Sequence, residues 1–394
     1  MTIKRFLSGI TTSARREVER LSTNREYRAV VWWLPLGVII FFALFFSQEV
    51  VGALPIAVVD EDNTSLSRKV VSMIRATPQT SLVEEVADMA AAESRVLQGD
   101  VVAVVEIPKG FAKDILSGEP ASIIFYDSGA NISTNSLAAK GIQTAITSFG
   151  VGVSLQRAEM QGATPDQAMA QAMPIAFATY GLFNPWLNYA YYVAPCFWAM
   201  VLIIAAMLST IYAVGTELRS ATSVEWLRSA NGSLVAALMG KLAPTTLAMW
   251  LLSLVVGVLI FGVFGAPLQG SWLMLVAGCA TLITAYQAVA LFIVVITASL
   301  RLSLSLGGGY SVLAFTFSGI TFPTMAMFSA VQPFTMLFPY TFFMELYIDQ
   351  AVRGTAWWLS MQKLVAMLLF CLLPLLLLGR MKRILANRKY WGRI

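Results

Sequence analysis

Residues Val214 to Pro244 read VGTELRSATSVEWLRSANGSLVAALMGKLAP, a polar, weakly basic, helix-compatible stretch set between two long apolar runs. Its apolar residues Val224, Leu227, Leu234, Leu238 and Leu242 recur at spacings of three, four and seven. That period suits one or two short amphipathic helices lying against a membrane surface, with Thr222 or Ser223 as the cap of the first. A plain loop joining two spans fits the same period, so the surrounding chain has to decide.

The 394 residues are 57% hydrophobic and only 12% charged, against roughly 45–50% apolar and about 25% charged in soluble domains. This predicts an integral membrane protein. The chain has no histidine, so the commonest general base and metal ligand are missing, and enzymology is not expected of it. Cys196, Cys279 and Cys371 all fall in apolar runs, where a thiol acts as a small hydrophobe, and they suggest neither a metal site nor a disulfide framework. The net charge of +5 comes from basic residues at the ends of apolar runs, which membrane orientation explains better than nucleic-acid binding.

Residues 1–28 carry Lys4, Arg5, Arg15, Arg16, Arg20, Arg25 and Arg28 beside a helical stripe of Ile3, Phe6, Leu7, Ile10, Ala14, Val18 and Leu21, the pattern of a basic interfacial helix. A secretory signal is the competing reading, but the charged segment is long and the following apolar run is span-sized. The first span is expected over 29–50, with Trp32 and Trp33 as belt residues. From 51 to 186 acidic residues outnumber basic ones, as in Asp60, Glu61, Asp62, Glu84, Glu85 and Asp88. Strands are predicted at Leu54 to Val59, Val101 to Ile107 and Ser122 to Tyr126. Helices are predicted at Thr64 to Ala76, Asp88 to Gln98, Gly110 to Leu116, and from Asn131 or Ser133 towards Met160. The alternation describes a small α/β domain. Its DEDNT run, Asp60 to Thr64, fits a turn and helix cap better than a cation site, because the glycine and distal glutamate of a calcium loop are absent.

Further spans are expected near 189–213, 243–265, 271–299, 305–330 and 357–379, within 187–379. The fold class is therefore an α-helical polytopic membrane protein of six transmembrane helices, with an α/β extracytoplasmic domain between helices 1 and 2. Arg219, Arg228, Lys241, Arg301 and the basic tail 380–394 place both termini in the cytoplasm. Residues 332–355 are broken by Pro333 and Pro339 and suit a re-entrant or interfacial helix pair. There Glu345, Asp349 and Arg353 share one helical face, read as an internal ion-paired face rather than a substrate site. Lys363 reads as a snorkelling anchor.

This layout resembles the permease subunits of type-2 ABC exporters, the group often called type V. The resemblance covers nearly the whole chain and is carried by LPIAVVDEDNTSLSRKVV, FNPWLNYAYYVAP, VEWL with GKLAP, and SGITFPTMAM with PFTMLFPYTFFMEL. It implies a bacterial inner-membrane exporter built from two permeases, as homodimer or heterodimer, and two separate ATPase subunits that bind ATP and Mg. It implies a coupling helix within about 215–241, with Thr222, Ser223, Glu225, Trp226, Leu227 and Arg228 at the ATPase contact. Glu225, Trp226 and Leu227 match the family's Glu-x-Leu motif, while Thr222 and Ser223 stand where Gly-Thr is usual. It also implies an N-terminal helix on the ATPase and re-entrant helices, carrying Phe338, Tyr340, Glu345 and Asp349, along the outer pathway. The residues agree on the division of labour: Val235 replaces the first glycine of a Walker A loop and Leu242 follows Gly240-Lys241, so no phosphate cradle is present.

Among polar residues in the spans, Gln287 fits either a pathway role or a hydrogen bond between helices. Gly307-Gly308-Gly309, Phe315, Phe317, Gly319, Phe322, Pro323 and Met325 suit a dimer interface or an adaptable apolar surface for a hydrophobic substrate. Lipid, peptide and drug-like cargoes all fit. The external domain hints at a periplasmic adaptor. Two rivals remain: a secondary transporter, which needs mid-membrane ion-coupling residues that are nearly absent, and a membrane-anchored binding or signalling protein, for which six spans are excessive.

Overall fold

The computed structural model of the protein describes residues 3–47, 52–129, 131–172 and 188–392. The expected domain boundary at 186/187, residues 183–187 of the FNPWL segment and Arg393 lie outside the described residues. The chain forms two compact units, Met1–Glu49 with Leu182–Ile394, and Val50–Gly181.

Helix α1 spans Ile3–Thr23, and Asn24 then caps α2, which runs Arg25–Phe45 through a π turn at Ala29–Trp33. The apolar stripe of α1 is divided: Phe6, Ile10 and Leu21 are half-buried against the core, and the rest of the packed face is made of small and polar residues. Gly9, Ser13 and Glu17 are the buried residues, while Ile3, Leu7 and Val18 are 77%, 55% and 52% exposed. The reason is steric: Gly9 and Ser13, four apart, let another helix approach the backbone, and only Ile3, Leu7 and Val18 of the bulky stripe are left outward.

In the Val50–Gly181 unit the strands are β1 (Leu54–Asp60), β2 (Thr80–Glu85), β3 (Ala103–Ile107) and β4 (Ile124–Asp127). They pair in the order β2-β1-β3-β4, parallel except for the antiparallel edge β4. The helices are α3 (Ser65–Arg75), α4 (Met89–Gln98), α5 (Phe111–Ser117), α6 (Ile132–Met160) and α7 (Pro165–Ala172). Covered on both faces, β1 and β3 are continuous apolar runs, as central parallel strands require. The DEDNT run is a turn and cap. Asp60 Oδ1 accepts the Asp62 and Asn63 N–H groups at 3.1 and 3.0 Å, and Thr64 forms a capping box with Ser67. Asp62 accepts from Gly110 N and Ala112 N at 3.0 and 3.1 Å, tying this turn to the start of α5.

The second unit continues with α8 (Ala190–Arg219), α9 (Ser223–Ser229), α10 (Leu234–Val263), α11 (Trp272–Thr297), α12 (Leu300–Thr316), α13 (Pro339–Tyr347), α14 (Trp357–Leu376) and α15 (Leu378–Ala386). Among the described residues five helices are long and apolar enough to cross a membrane: α2, α8, α10, α11 and α14. The span expected at 305–330 is different. Its helix, α12, starts at Leu300, has 17 residues and stops at Thr316. Gly319 then takes φ +83°, and Pro323 precedes a single 3-10 turn, Thr324–Ala326. Small and turn-forming residues end the helix where hydropathy alone continues it. The centre of the bundle is α8, whose buried side chains run from Ala194 to Leu218 and which packs on α10, α11 and α12.

Candidate functional site

The stretch 214–244 is one turn-bounded helix between two longer ones. Residues up to Arg219 belong to α8; Ala221, at φ +58°, turns the chain, and α9 follows. Asn231 and Gly232, at φ +55° and +78°, reverse it again, and Ser233 caps α10 by accepting the Ala236 N–H. Within α9 the indole of Trp226 is 1% exposed and donates from Nε1 to Ser13 Oγ of α1 at 3.2 Å. Ser223 Oγ donates to the Glu217 carbonyl at 3.0 Å, and Thr222 Oγ1 donates to the Glu217 carboxylate. On the other side Glu225 and Arg228 are exposed and Leu227 is half-buried. The expected ATPase-contact residues thus divide into an anchoring set, Thr222, Ser223 and Trp226, and an outward pair, Glu225 and Arg228, with Leu227 half-buried against the core between them.

Beneath α9 lies an ion cluster that sequence reasoning missed. Lys241 of α10 places Nζ 2.6 Å from Glu17 Oε2 of α1 and 2.8 Å from Glu217 Oε1 of α8, with all three side chains at most 1% exposed. Arg20 Nη1 stands 2.6 Å from Glu217 and 3.4 Å from Glu17, and Arg16 Nη2 stands 3.2 Å from Glu217. Arg20 also donates to Thr216 Oγ1 at 2.6 Å, and the Lys241 ammonium sits 4.9 Å from the centre of the Trp226 ring. Burying an ion costs several kcal/mol, and close opposite charges offset that cost only with good geometry. Here three cations surround two carboxylates, so none of the five is stranded. The contact is backbone-close: a Cβ on Gly240 would lie 2.3 Å from Ile10 O, and one on Gly9 would lie 2.9 Å from Ala230 O. The cluster joins α1, α8, α9 and α10 into one rigid corner. Its sequence signal was Glu217 and Lys241 standing against apolar runs, positions where an ionisable group requires a partner.

The remaining expected residues lie elsewhere in the unit. Gln287 of α11, 3% exposed, accepts from Thr246 Oγ1 at 2.8 Å and donates to Thr245 Oγ1 at 3.4 Å, a hydrogen bond between helices. It also lines a cavity of about 660 Å³ between α10, α11 and α14, while a second, of about 510 Å³, follows the same seam beyond Trp250. Phe315 packs on Phe197 of α8 and Phe317 on Phe334 and Phe338. Phe322, Pro323 and Met325 are exposed in the irregular segment after α12. Gly307 meets Met207 and Ile211 of α8, whereas Gly308 and Gly309 face open space. Phe338 and Tyr340 are core residues, and Tyr340 donates to Cys196 O at 2.6 Å. Asp349, 8% exposed, pairs with Arg353 at 3.4 Å and with Lys363 of α14; Glu345 lies 3.8 Å from Lys363. Lys363 is therefore an ion-pair partner, not a snorkelling anchor, because a buried carboxylate lies within its reach.

Residues 25–380 match the family model described as ABC-2 family transporter protein. No curated protein matches the chain. A crystal structure of a domain attributed to an ABC type-2 transporter of Thermotoga maritima is 24% identical over 31% of this chain and 81% of that one, with a TM-score of 0.23, too low to carry an argument. A family match over most of the length, with five membrane-length apolar helices among the described residues, fits a multi-pass membrane component that works with an ATPase partner. The chain belongs to the ABC-2 family of transporter proteins, as the membrane permease of an ABC transporter.

Proposed function

We propose that this chain is the permease of an ATP-driven exporter in a bacterial inner membrane, driven by a separate ATPase subunit that binds the outward side of α9. The observation that carries the reading is the contrast within α9. Glu225 and Arg228 face outward, while Trp226, Ser223 and Thr222 are fastened through the ion cluster to α1, α8 and α10. A push on α9 then cannot be absorbed locally and is delivered to two membrane-length helices together. In this reading α1, α9 and the chain termini are cytoplasmic, the Val50–Gly181 unit is extracytoplasmic, and two copies form the transporter. The cargo is hydrophobic or amphipathic, in keeping with the apolar seam of α10 and α11.

The test is purification of the tagged chain in mild detergent with the ATPase that accompanies it. Glu225→Ala or Leu227→Asp is expected to leave membrane insertion intact and to separate ATP hydrolysis from transport. Wild-type coupling in both variants refutes the placement of the contact.

A further inference from the structure

α15 has the amphipathic pattern of an interfacial helix but does not use it as one. Its apolar residues Met381, Ile384 and Leu385 are 2%, 3% and 1% exposed. Arg380 fixes its start by donating to the Val295 and Ile296 carbonyls at the end of α11, both at 2.9 Å. Beyond it, Trp391 packs on the core and Gly392 N donates to Leu218 O at 3.1 Å, beside the turn into α9. Between these two attachments α15 packs against α9 itself. What remains outward is basic: Lys382, Arg383, Arg388 and Lys389, next to Arg219 and Arg228. Among the described residues none of these six exposed cations is in an ion pair.

Helix α1 supplies the contrast. Part of its apolar stripe, Ile3, Leu7 and Val18, is outward and free to meet lipid. α15 has spent its apolar face on the protein, so nothing on it is left to enter a bilayer. Its cations stand in water beside α9. Unpaired like charges gathered on a rigid element repel one another, and that arrangement is relieved by an oppositely charged partner surface.

We propose that α15 and the segment to Gly392 form a second docking element for the ATPase, a basic collar beside α9 that takes an acidic surface of that subunit. This rests on the reading of α9 given above. In the assembly the collar sets the encounter rate and register, while α9 carries the mechanical contact.

The test uses the full-length chain in nanodiscs of phosphatidylcholine alone, titrated with the purified ATPase subunit that accompanies the tagged chain in mild detergent. Lys382→Glu/Arg383→Glu and Arg388→Glu/Lys389→Glu are each expected to weaken binding about tenfold at low salt, chiefly through association rate, with the difference shrinking as salt rises. The neutral pair Lys382→Gln/Arg383→Gln, which leaves helix packing untouched, is expected to fall between wild type and the reversals. Unchanged affinity in the reversals while Glu225→Ala weakens binding overturns the collar and leaves the α9 reading standing. Unchanged affinity in both overturns the collar, and the α9 reading then stands or falls on the coupling assay above. If the reversals act only in nanodiscs containing phosphatidylglycerol, the cations serve lipid headgroups and the proposal fails.

Discussion

Removing the ammonium of Lys241 is the sharpest perturbation of the corner beneath α9. Lys241→Met keeps the length and the apolar stem but leaves Glu17 and Glu217, 1% and 0% exposed, with one cation fewer. Breaking a buried pair by deleting one partner costs about 3–5 kcal/mol. Arg20 still touches both carboxylates, at 3.4 and 2.6 Å, so the low end applies. We expect a loss of about 3 kcal/mol, roughly two powers of ten in the folding equilibrium. The measurement is a denaturant titration in detergent followed by circular dichroism, run as a double-mutant cycle with Glu17→Gln. Because Glu17→Gln removes the charge that Lys241→Met strands, the double variant is expected to be more stable than Lys241→Met alone. A coupling below about 0.5 kcal/mol, or a Lys241→Met protein within about 1 kcal/mol of wild type, refutes the claim that the cluster is one interdependent unit.

Gly240→Ala places a methyl 2.3 Å from Ile10 O, and overpacking of this kind costs about 1–3 kcal/mol; limited proteolysis should cut α1 faster if the helix lifts away. Gln287→Leu is expected to cost less than about 1 kcal/mol in the same titration, since Thr245 and Thr246 each keep the Leu242 carbonyl as acceptor. In the Val50–Gly181 unit, burial alone raises the Asp62 carboxyl, but hydrogen bonds from Thr64 and from the Ala112, Gly110 and Phe111 N–H groups outweigh it and hold the group below its ordinary range. Its stabilising effect is therefore complete above that range and fades as pH falls through the lower native value. Amide protection at the start of α5, taken relative to the intrinsic exchange rate at each pH, should fall on acidification in the wild type, and Asp62→Asn should flatten that dependence.

The inserted unit was largely legible because its signals are local. LPIAVV and VVAVVEI are buried β-branched runs, and Thr64, Asp88 and Gly110 occupy the capping positions before α3, α4 and α5. β2 was missed because four of the six residues of TSLVEE are charged or polar; as an edge strand it buries chiefly Thr80 and leaves its glutamates outward to pair with Arg75 and Arg95. At the corner, the sequence pointed to the helix and its outward residues, Glu225 and Arg228. It did not point to Glu17 with Glu217 and Lys241, because their meeting depends on α1 returning across more than two hundred residues. Periodicity assigned α1 by its bulky stripe; close approach was decided instead by Gly9, Ser13 and Gly240, residues that hydropathy weighs least.

The shortness of α12 has a consequence for the surrounding bilayer. Seventeen residues rise about 26 Å, less than the ~30 Å of hydrocarbon. The chain from Phe317 onward has left the helix before that thickness is crossed, yet a bilayer core admits irregular backbone only where protein or water meets its polar groups. Thr321, Phe322 and Pro323 are exposed on the protein itself. Wherever this end of α12 lies within a bilayer, its backbone is therefore met by protein or water and not by lipid tails.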